Sequence, residues 1–244
     1  MKTNAVSQKI CVFSGPLMAL TFLTAFLIMG FVPPPSPKLD GAQIVQQFSD
    51  DQGRIRAGGV VMIFGSALLF PWVSVISLHL RRIEGVHAPM AMTQLASGAL
   101  GAFLFLTPMI AIEALAYKPE RLDPQVAETM YYFIWLFFVG TPIFAVLQNL
   151  SIAVAILGDT SSDPVFPRWA GYFNAWVGLL FVPGVAVFFF DDGPFAWRGF
   201  FPWWLPLSCF GIWMAVMAYL LLQAINTQRA RERSGSPAHE LQLQ

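Results

Sequence analysis

The sequence predicts an all-α fold, a polytopic transmembrane bundle of six helices joined by short loops. Hydrophobic residues make up 56% of the chain and charged residues only 11%, whereas soluble domains carry about 25% charged residues. The mean hydropathy is +0.61. Apolar runs of about 20 residues, the length that crosses a roughly 30 Å hydrocarbon layer, recur six times along the chain. Together these observations exclude an ordinary water-soluble globule.

The net charge narrows the possible partners, whereas the two cysteines give no information about the redox compartment. The formal net charge is zero, which gives no broad electrostatic attraction to nucleic acid. The lipid bilayer is therefore the first partner that we expect. Cys11 and Cys209 lie near one end of the first span and near the middle of the last. That places them at depths about 15 Å apart at 1.5 Å per residue, too far for a disulfide.

The first span is expected over residues 11–32, behind Lys2 and Lys9. This arrangement resembles a secretory signal, but no small-x-small cleavage site follows the apolar core, and the run is longer than a typical signal. We therefore expect it to be retained as a membrane helix. It should end at Pro33–Pro35, because consecutive prolines cannot continue a helix.

The connection between the first two spans is the longest in the chain. Between Lys38 and Arg56 a few apolar residues follow Asp40 at helical spacing, and Asp40 could act as an N-cap. Two readings remain open, a short interfacial helix or an irregular loop. In either case this connection is the best place for a partner or a lid.

The remaining spans are expected to follow with short connections. Gly158 predicts a helix end, and Asp191–Pro194 predicts a turn. A polar tail at 228–244 is expected to be disordered, which leaves residues 1–227 as the transmembrane domain. The five later spans are predicted at 57–80, 92–117, 131–157, 169–190 and 200–222.

The distribution of Lys and Arg predicts the orientation. Alternating sides of the bundle carry eight and six such residues, and the two termini are on the side with eight. Because positive residues are enriched on the cytoplasmic side, we expect both termini in the cytoplasm. The expected location is the bacterial inner (plasma) membrane.

Polar side chains on the fourth and fifth spans mark the first candidate site. Thr141, Gln148 and Asn149 fall on one helical face, and Asn174 lies in a stripe of small residues at 171–178. An amide at hydrocarbon depth needs a partner inside the protein. Either these amides hold the two helices together, with Asn149 and Asn174 hydrogen-bonded, or they form the polar end of an otherwise apolar ligand pocket.

Glu113 is the second candidate, because it is the only carboxylate well inside a predicted span. An acidic residue within a membrane is a functional candidate by default, and Glu113 would be the general acid or base if the protein were an enzyme. Tyr117 and Lys118 follow one turn later. The alternative is that Glu113 reaches the membrane interface or pairs with a Lys or Arg at the level of the headgroups.

Histidine spacing predicts neither a metal nor a haem. The histidines are His79, His87 and His239, and no two of them lie three or four residues apart within a span. A surface site formed by His79, Glu84 and His87 is the alternative to plain interfacial polar residues. No P-loop, nucleophile elbow or dinucleotide fingerprint is present, and we predict no cofactor.

Two features of the sequence would suit a transporter: the placement of its prolines and a loose internal similarity. Prolines can kink helices around a cavity, although they are common in membrane helices. Residues 56–71 loosely resemble residues 168–183, and an inverted repeat of that kind is typical of secondary transporters. Each span contains at least one proline; these include Pro16, Pro71, Pro108, Pro142, Pro183 and Pro206.

The stretches Val165–Trp176 and Gly193–Trp197 resemble uncharacterised six-helix bacterial integral membrane proteins. That family has no assigned activity, so the resemblance implies the helix count and no functional residue. We predict a non-enzymatic membrane protein that is either an accessory subunit of a membrane complex or a binder of a lipophilic small molecule. A membrane-protein partner or a homo-oligomer is thus compatible with the sequence. A membrane-embedded enzyme and a small secondary transporter are the alternatives.

Overall fold

A computed structural model describes residues 4–233. This part of the chain is helical and contains no strand. Six helical segments are long and apolar enough to cross a membrane. The predicted all-α bundle of six membrane-spanning helices is therefore confirmed.

Residues 4–233 contain nine α-helices. They are α1 Ala5–Met29, α2 Gly41–Asp50, α3 Gln52–Ser66, α4 Leu69–Glu84, α5 Pro89–Tyr117, α6 Pro124–Gly140, α7 Ile143–Leu157, α8 Arg168–Phe181 and α9 Leu205–Arg233.

Eight of these helices build the six spanning segments. The first and third spans are the single helices α1 and α5, the second joins α3 to α4, and the fourth joins α6 to α7. The fifth is α8 with the 3-10 segment Val182–Phe188, and the sixth is the π-turn Phe200–Trp204 with α9.

Six crossings bring both described ends of the chain to one side of the bundle. We call this the terminal side; it also carries the connections at 85–88 and 158–167. The opposite, loop side carries the connections at 30–40, 118–123 and 189–199. The assignment of the terminal side to the cytoplasm stays a prediction.

Local capping explains where the first helix begins and ends. Asn4 is the N-cap, and its side-chain oxygen accepts a hydrogen bond from the Ser7 N–H at 3.1 Å. At the other end Gly30 adopts the left-handed conformation (φ 74°), which glycine tolerates and which closes a helix. The helix therefore ends ahead of the prolines at 33–35, a little earlier than predicted.

The connection after the first span contains a helix, which decides between its two readings. Asp40 and Gln43 form a reciprocal capping box, with distances of 2.8 and 3.0 Å between their side-chain oxygens and each other's backbone nitrogens. Ile44 and Phe48 are buried. Gly41 packs so closely on the carbonyl of Pro124 that α2 rests directly on α6.

At the opposite end of the chain, α9 continues to Arg233. The first residues of the tail that was expected to be disordered are thus helical. Gln228 and Glu232 interact one turn apart, and Arg231 forms an ion pair with Asp163 of the 158–167 connection, which anchors this last turn. Residues 234–244 of the predicted tail, including His239, lie outside the described range.

Four of the six spans are interrupted, which the sequence did not predict. The second is interrupted at Ala67–Leu68, and the fourth breaks at Thr141–Pro142. Pro142 has no backbone N–H to continue the α6 ladder. The hydroxyl of the preceding Thr141 donates to the Phe137 carbonyl at 2.6 Å. The fifth span narrows to a 3-10 helix at its end, and the sixth begins as a π-turn.

The loop side is held together by contacts between the proline-rich stretch and the turn after the fifth span. The Trp197 indole N–H donates to the Pro35 carbonyl at 2.9 Å, and the Tyr131 hydroxyl donates to the Ser36 carbonyl at 3.0 Å. Lys38 and Asp192 form an exposed ion pair. These contacts join segments more than ninety residues apart in sequence.

The Lys38–Asp192 pair should make the loop side sensitive to acid. Asp192 accepts hydrogen bonds from Lys38 and from the Gly193 N–H, and these lower the pKa of Asp192 below the ordinary 3.8. The bond to Asp192 also raises the pKa of Lys38. A carboxyl group whose pKa is lower in the folded protein than in the unfolded chain stabilises the fold at any pH above the unfolded-chain pKa. This stabilisation is lost as the pH falls through the folded-state pKa. We expect Lys38→Met to speed hydrogen exchange at residues 36–40 near pH 7, modestly because the pair is exposed.

At a pH below the lowered pKa of Asp192, wild-type and Lys38→Met proteins should exchange alike after correction for intrinsic rates. Lys118→Met removes a charge from the same side and is the control; it should leave residues 36–40 unchanged. A difference between wild type and Lys38→Met that persisted in acid would contradict the assignment.

Candidate functional site

An apolar pocket lies where the four interrupted spans meet. Its volume is about 120 Å³, comparable with the roughly 150 Å³ apolar cavity that accepts benzene. Irregular backbone at membrane depth is tolerated where it is buried in protein or lines a cavity, and residues beside every interruption line this one. They are Leu69, Val139, Pro142, Phe181, Gly184, Pro202, Trp203 and Pro206.

Aromatic rings form one wall of the pocket. Phe105 of α5 stands at the centre, 5.7 Å from the ring centroids of both Phe22 and Phe210 and 5.6 Å from that of Phe138. Trp203 of the π-turn continues the wall, 6.4 Å from Phe138. These separations are typical of favourable aromatic pairs, so the wall holds together elements from four spans.

The pocket opens toward lipid near the middle of the membrane. Gly101, Leu104 and Leu207 line it and are only half-buried. A Cβ on Gly101 would meet no atom within 4 Å, and this residue lies about 18 Å along α5 from its first residue. The neighbouring Leu100 and Phe103 are exposed. The mouth of the pocket thus lies on the surface of the bundle, about midway along α5.

Gln148 and Asn149 supply the side-chain amides of the pocket. The Gln148 side-chain amide has no hydrogen-bond partner within residues 4–233, and its nitrogen is buried. This nitrogen packs over Gly98, only 2.6 Å from the position that a Cβ on Gly98 would occupy. The Asn149 amide nitrogen donates to the Ala145 carbonyl at 2.9 Å, while its oxygen is buried without a partner in the described chain. Both therefore bring unsatisfied hydrogen-bonding capacity to an apolar site.

Asn174 is not part of this pocket. It is fully buried, accepts a hydrogen bond from the Trp213 indole at 2.9 Å and donates to the Ala170 carbonyl at 2.8 Å. The predicted hydrogen bond between Asn149 and Asn174 does not form. The backbone of Gly178 faces the Asn149 side chain instead, and Asn174 is turned toward α9, so it links α8 to α9 rather than to α7.

Thr141 and Glu113 also lie away from the pocket lining. Thr141 caps the α6 break as described above. Glu113 sits where α5 packs on α3: one carboxylate oxygen is 3.7 Å from the Arg56 Nε, and the other is buried against Gly59 with no hydrogen-bond partner in residues 4–233. The pairing alternative for Glu113 is thus the one seen in the structure.

His79 and Glu84 both take part in hydrogen bonds within the protein. The Arg82 guanidinium lies 2.9 Å from the Nδ1 of the buried His79; because arginine only donates, Nδ1 accepts and the proton resides on Nε2. Glu84 accepts the backbone N–H groups of Met90 and Ala91, at 3.1 and 2.8 Å, at the start of α5. Glu84 is thereby occupied, and no group of three His, Cys, Asp or Glu side chains able to hold a metal occurs in residues 4–233.

Sequence reasoning missed Trp203, Gly98 and Gly101. Trp203 is buried with its indole N–H unpaired within the described chain, and its position depends on the π-turn, for which Pro202 is the only local signal. The two glycines matter through the room they leave, which appears only once neighbouring helices are in place. No inference from relatives supplements this geometry: the chain matches no family model, no curated protein and no solved structure.

Proposed function

We propose that this integral membrane protein binds a lipophilic small molecule, carrying at least one small polar group, in the pocket between its interrupted spans. The observation that carries the proposal is the unpaired Gln148 amide inside an apolar cavity. Leaving such a group buried and unpaired costs about 1–3 kcal/mol. A ligand hydroxyl or carbonyl can recover this cost, because rotation of the amide presents either its donor or its acceptor.

The composition of the pocket supports binding over catalysis. Its lining includes no Asp, Glu, His, Cys, Lys, Ser or Thr side chain, so it holds no obvious general acid, base or nucleophile. Pockets of this type are mostly apolar with a few polar groups that orient the ligand. We further propose residence in the bacterial plasma membrane with both termini cytoplasmic, on the basis of the Lys and Arg distribution.

The test is native mass spectrometry of the protein extracted from its own membrane in lipid nanodiscs. Gly101→Leu should fill the mouth of the pocket, because its Cβ meets no atom of residues 4–233 within 4 Å and its outer carbons would occupy pocket space. We expect a small molecule to co-purify with the wild type and to be lost, by at least tenfold in occupancy, from this variant.

Gly211→Leu is the matched control. Gly211 is also a helical glycine with an open Cβ position, on α9, and it does not line the pocket. Its variant should keep the small molecule. Retention of that molecule by Gly101→Leu would overturn the pocket assignment, and a stoichiometric protein partner with no small molecule would favour the accessory-subunit function instead.

A further inference from the structure

A second cavity, which shares no residue with the apolar pocket, opens on the terminal side. It is a groove of about 490 Å³ along one face of α9, where its residues recur at spacings of three and four. The opposite wall is the 158–167 connection and Trp169 at the start of α8, and Arg82 of α4 completes the lining. The α9 residues of the groove are Tyr219, Gln223, Ala224, Thr227 and Arg231.

Arg82 is the unusual member of this groove. Its side chain is half-buried, and no carboxylate of the described chain lies within ion-pair distance of it. Arg231, by contrast, is paired with Asp163. The hydrogen bond from Arg82 to His79 Nδ1 engages one guanidinium N–H and fixes the orientation of the group. The remaining N–H groups have no hydrogen-bond partner in residues 4–233.

The groove also has the profile of a site at the headgroup level. Arg82 lies two residues before the end of α4, and Trp169 is the second residue of α8. Trp169 and Tyr219 are 49% and 61% exposed at the rim, and amphipathic rings of this kind concentrate at membrane interfaces. Tyr219 lies about 18 Å deeper along α9 than Arg231, so the groove runs from the surface toward the hydrocarbon layer.

We propose that this groove binds the phosphate group of an anionic amphiphile, with the Arg82 guanidinium as its anchor. A planar guanidinium donates two parallel hydrogen bonds to phosphate oxygens, which would engage the N–H groups that have no partner in residues 4–233. Asp163 and Glu232 act on the Arg82 charge only from beyond ion-pair distance. The apolar tail would follow α9 past Ala224 toward Tyr219. A membrane phospholipid and a free phosphate compound share this chemistry, and the experiment below distinguishes them.

The probe is phosphatidylglycerol, presented with the full-length protein in nanodiscs made mainly of phosphatidylcholine. Native mass spectrometry of the ejected protein reports the ratio of the two retained lipids. We expect enrichment of phosphatidylglycerol on the wild type and about a fivefold loss in Arg82→Gln. Arg82→Lys keeps the charge without the planar fork and should give an intermediate ratio. Arg168→Gln removes an exposed charge from the first residue of α8, outside the groove, and should retain the wild-type ratio.

Competition with inorganic phosphate separates the two sources. Displacement of phosphatidylglycerol by millimolar phosphate would assign the groove to soluble phosphate compounds, and no displacement would assign it to lipid. Equal lipid ratios for wild type and Arg82→Gln, with unchanged melting temperatures, would overturn the proposal. If Arg82→Gln does not fold, equal ratios for wild type and Arg82→Lys, together with no displacement by phosphate, would overturn it.

Discussion

Replacing Asn174 with leucine is expected to destabilise the bundle by about 2 kcal/mol. Asn174 is fully buried and accepts the indole N–H of Trp213 at 2.9 Å. Leucine leaves that donor unpaired in a region without water, and an unpaired buried donor costs about 1–3 kcal/mol. The variant also loses the link between α8 and α9, so the fifth and sixth spans should separate first on unfolding.

Asn149→Leu is the matched comparison, because it makes the same substitution one helix away. The Asn149 oxygen has no partner in the described chain, and its nitrogen bonds only to the carbonyl one turn earlier. Its loss should therefore leave the bundle at least as stable as the wild type, because the buried oxygen that has no partner is removed with it. Unfolding in detergent with increasing SDS measures both variants. Equal losses from the two substitutions would mean that both asparagines serve as helix contacts, and Asn149 would no longer be a binding residue.

Replacing Gly15 with alanine should disrupt the packing of α1 on α4, at a cost of about 3 kcal/mol. A Cβ at Gly15 would overlap the six-membered ring of Trp72. Trp72 is fully buried and packs edge-on against Trp213, with centroids 5.7 Å apart, so it has no room to retreat. The added methyl would therefore push α1 away from α4 and disturb the tryptophan that Asn174 holds.

Gly53→Ala provides the control for Gly15→Ala. Gly53 lies in α3 with no atom within 4 Å of its Cβ position, so alanine there should stabilise the helix by about 0.5–1 kcal/mol. The two melting temperatures should thus shift in opposite directions. A Gly15→Ala protein as stable as the wild type would show that α1 and α4 are not closely packed at this point.

Hydropathy and local capping were sufficient to predict the six spans and the cap at Asp40. Both depend on residues close together in sequence: an apolar run of span length, or a side chain three residues from the N–H that it accepts. The same local signals left two readings open for the segment after Asp40, and the structure shows the helical one. The positions of Gln148 and Asn149 on one face also follow directly from helical periodicity.

Partner choice and helix continuity could not be predicted in this way. Whether Asn174 bonds to Asn149 or to Trp213 depends on how α8 is rotated about its axis, which is set by the close approach of Gly178 to α7. The α6 break and the π-turn each contain a proline, but so do α1 and α5, which remain continuous. Tertiary packing, rather than the proline itself, decides which spans are interrupted.

The mid-membrane opening at Gly101 changes how the affinity of any ligand should be expressed. A molecule that enters there has already left water, so most of the free energy of its apolar part was gained on partitioning into the bilayer. Occupancy should then follow the mole fraction of ligand in the lipid, and adding empty bilayer should lower it at constant total ligand. Lengthening the alkyl chain of a ligand would then lower its apparent dissociation constant measured from water, although the ligand would fit the pocket no better. Discrimination between lipophilic molecules would reside in the few atoms that meet the Gln148 amide.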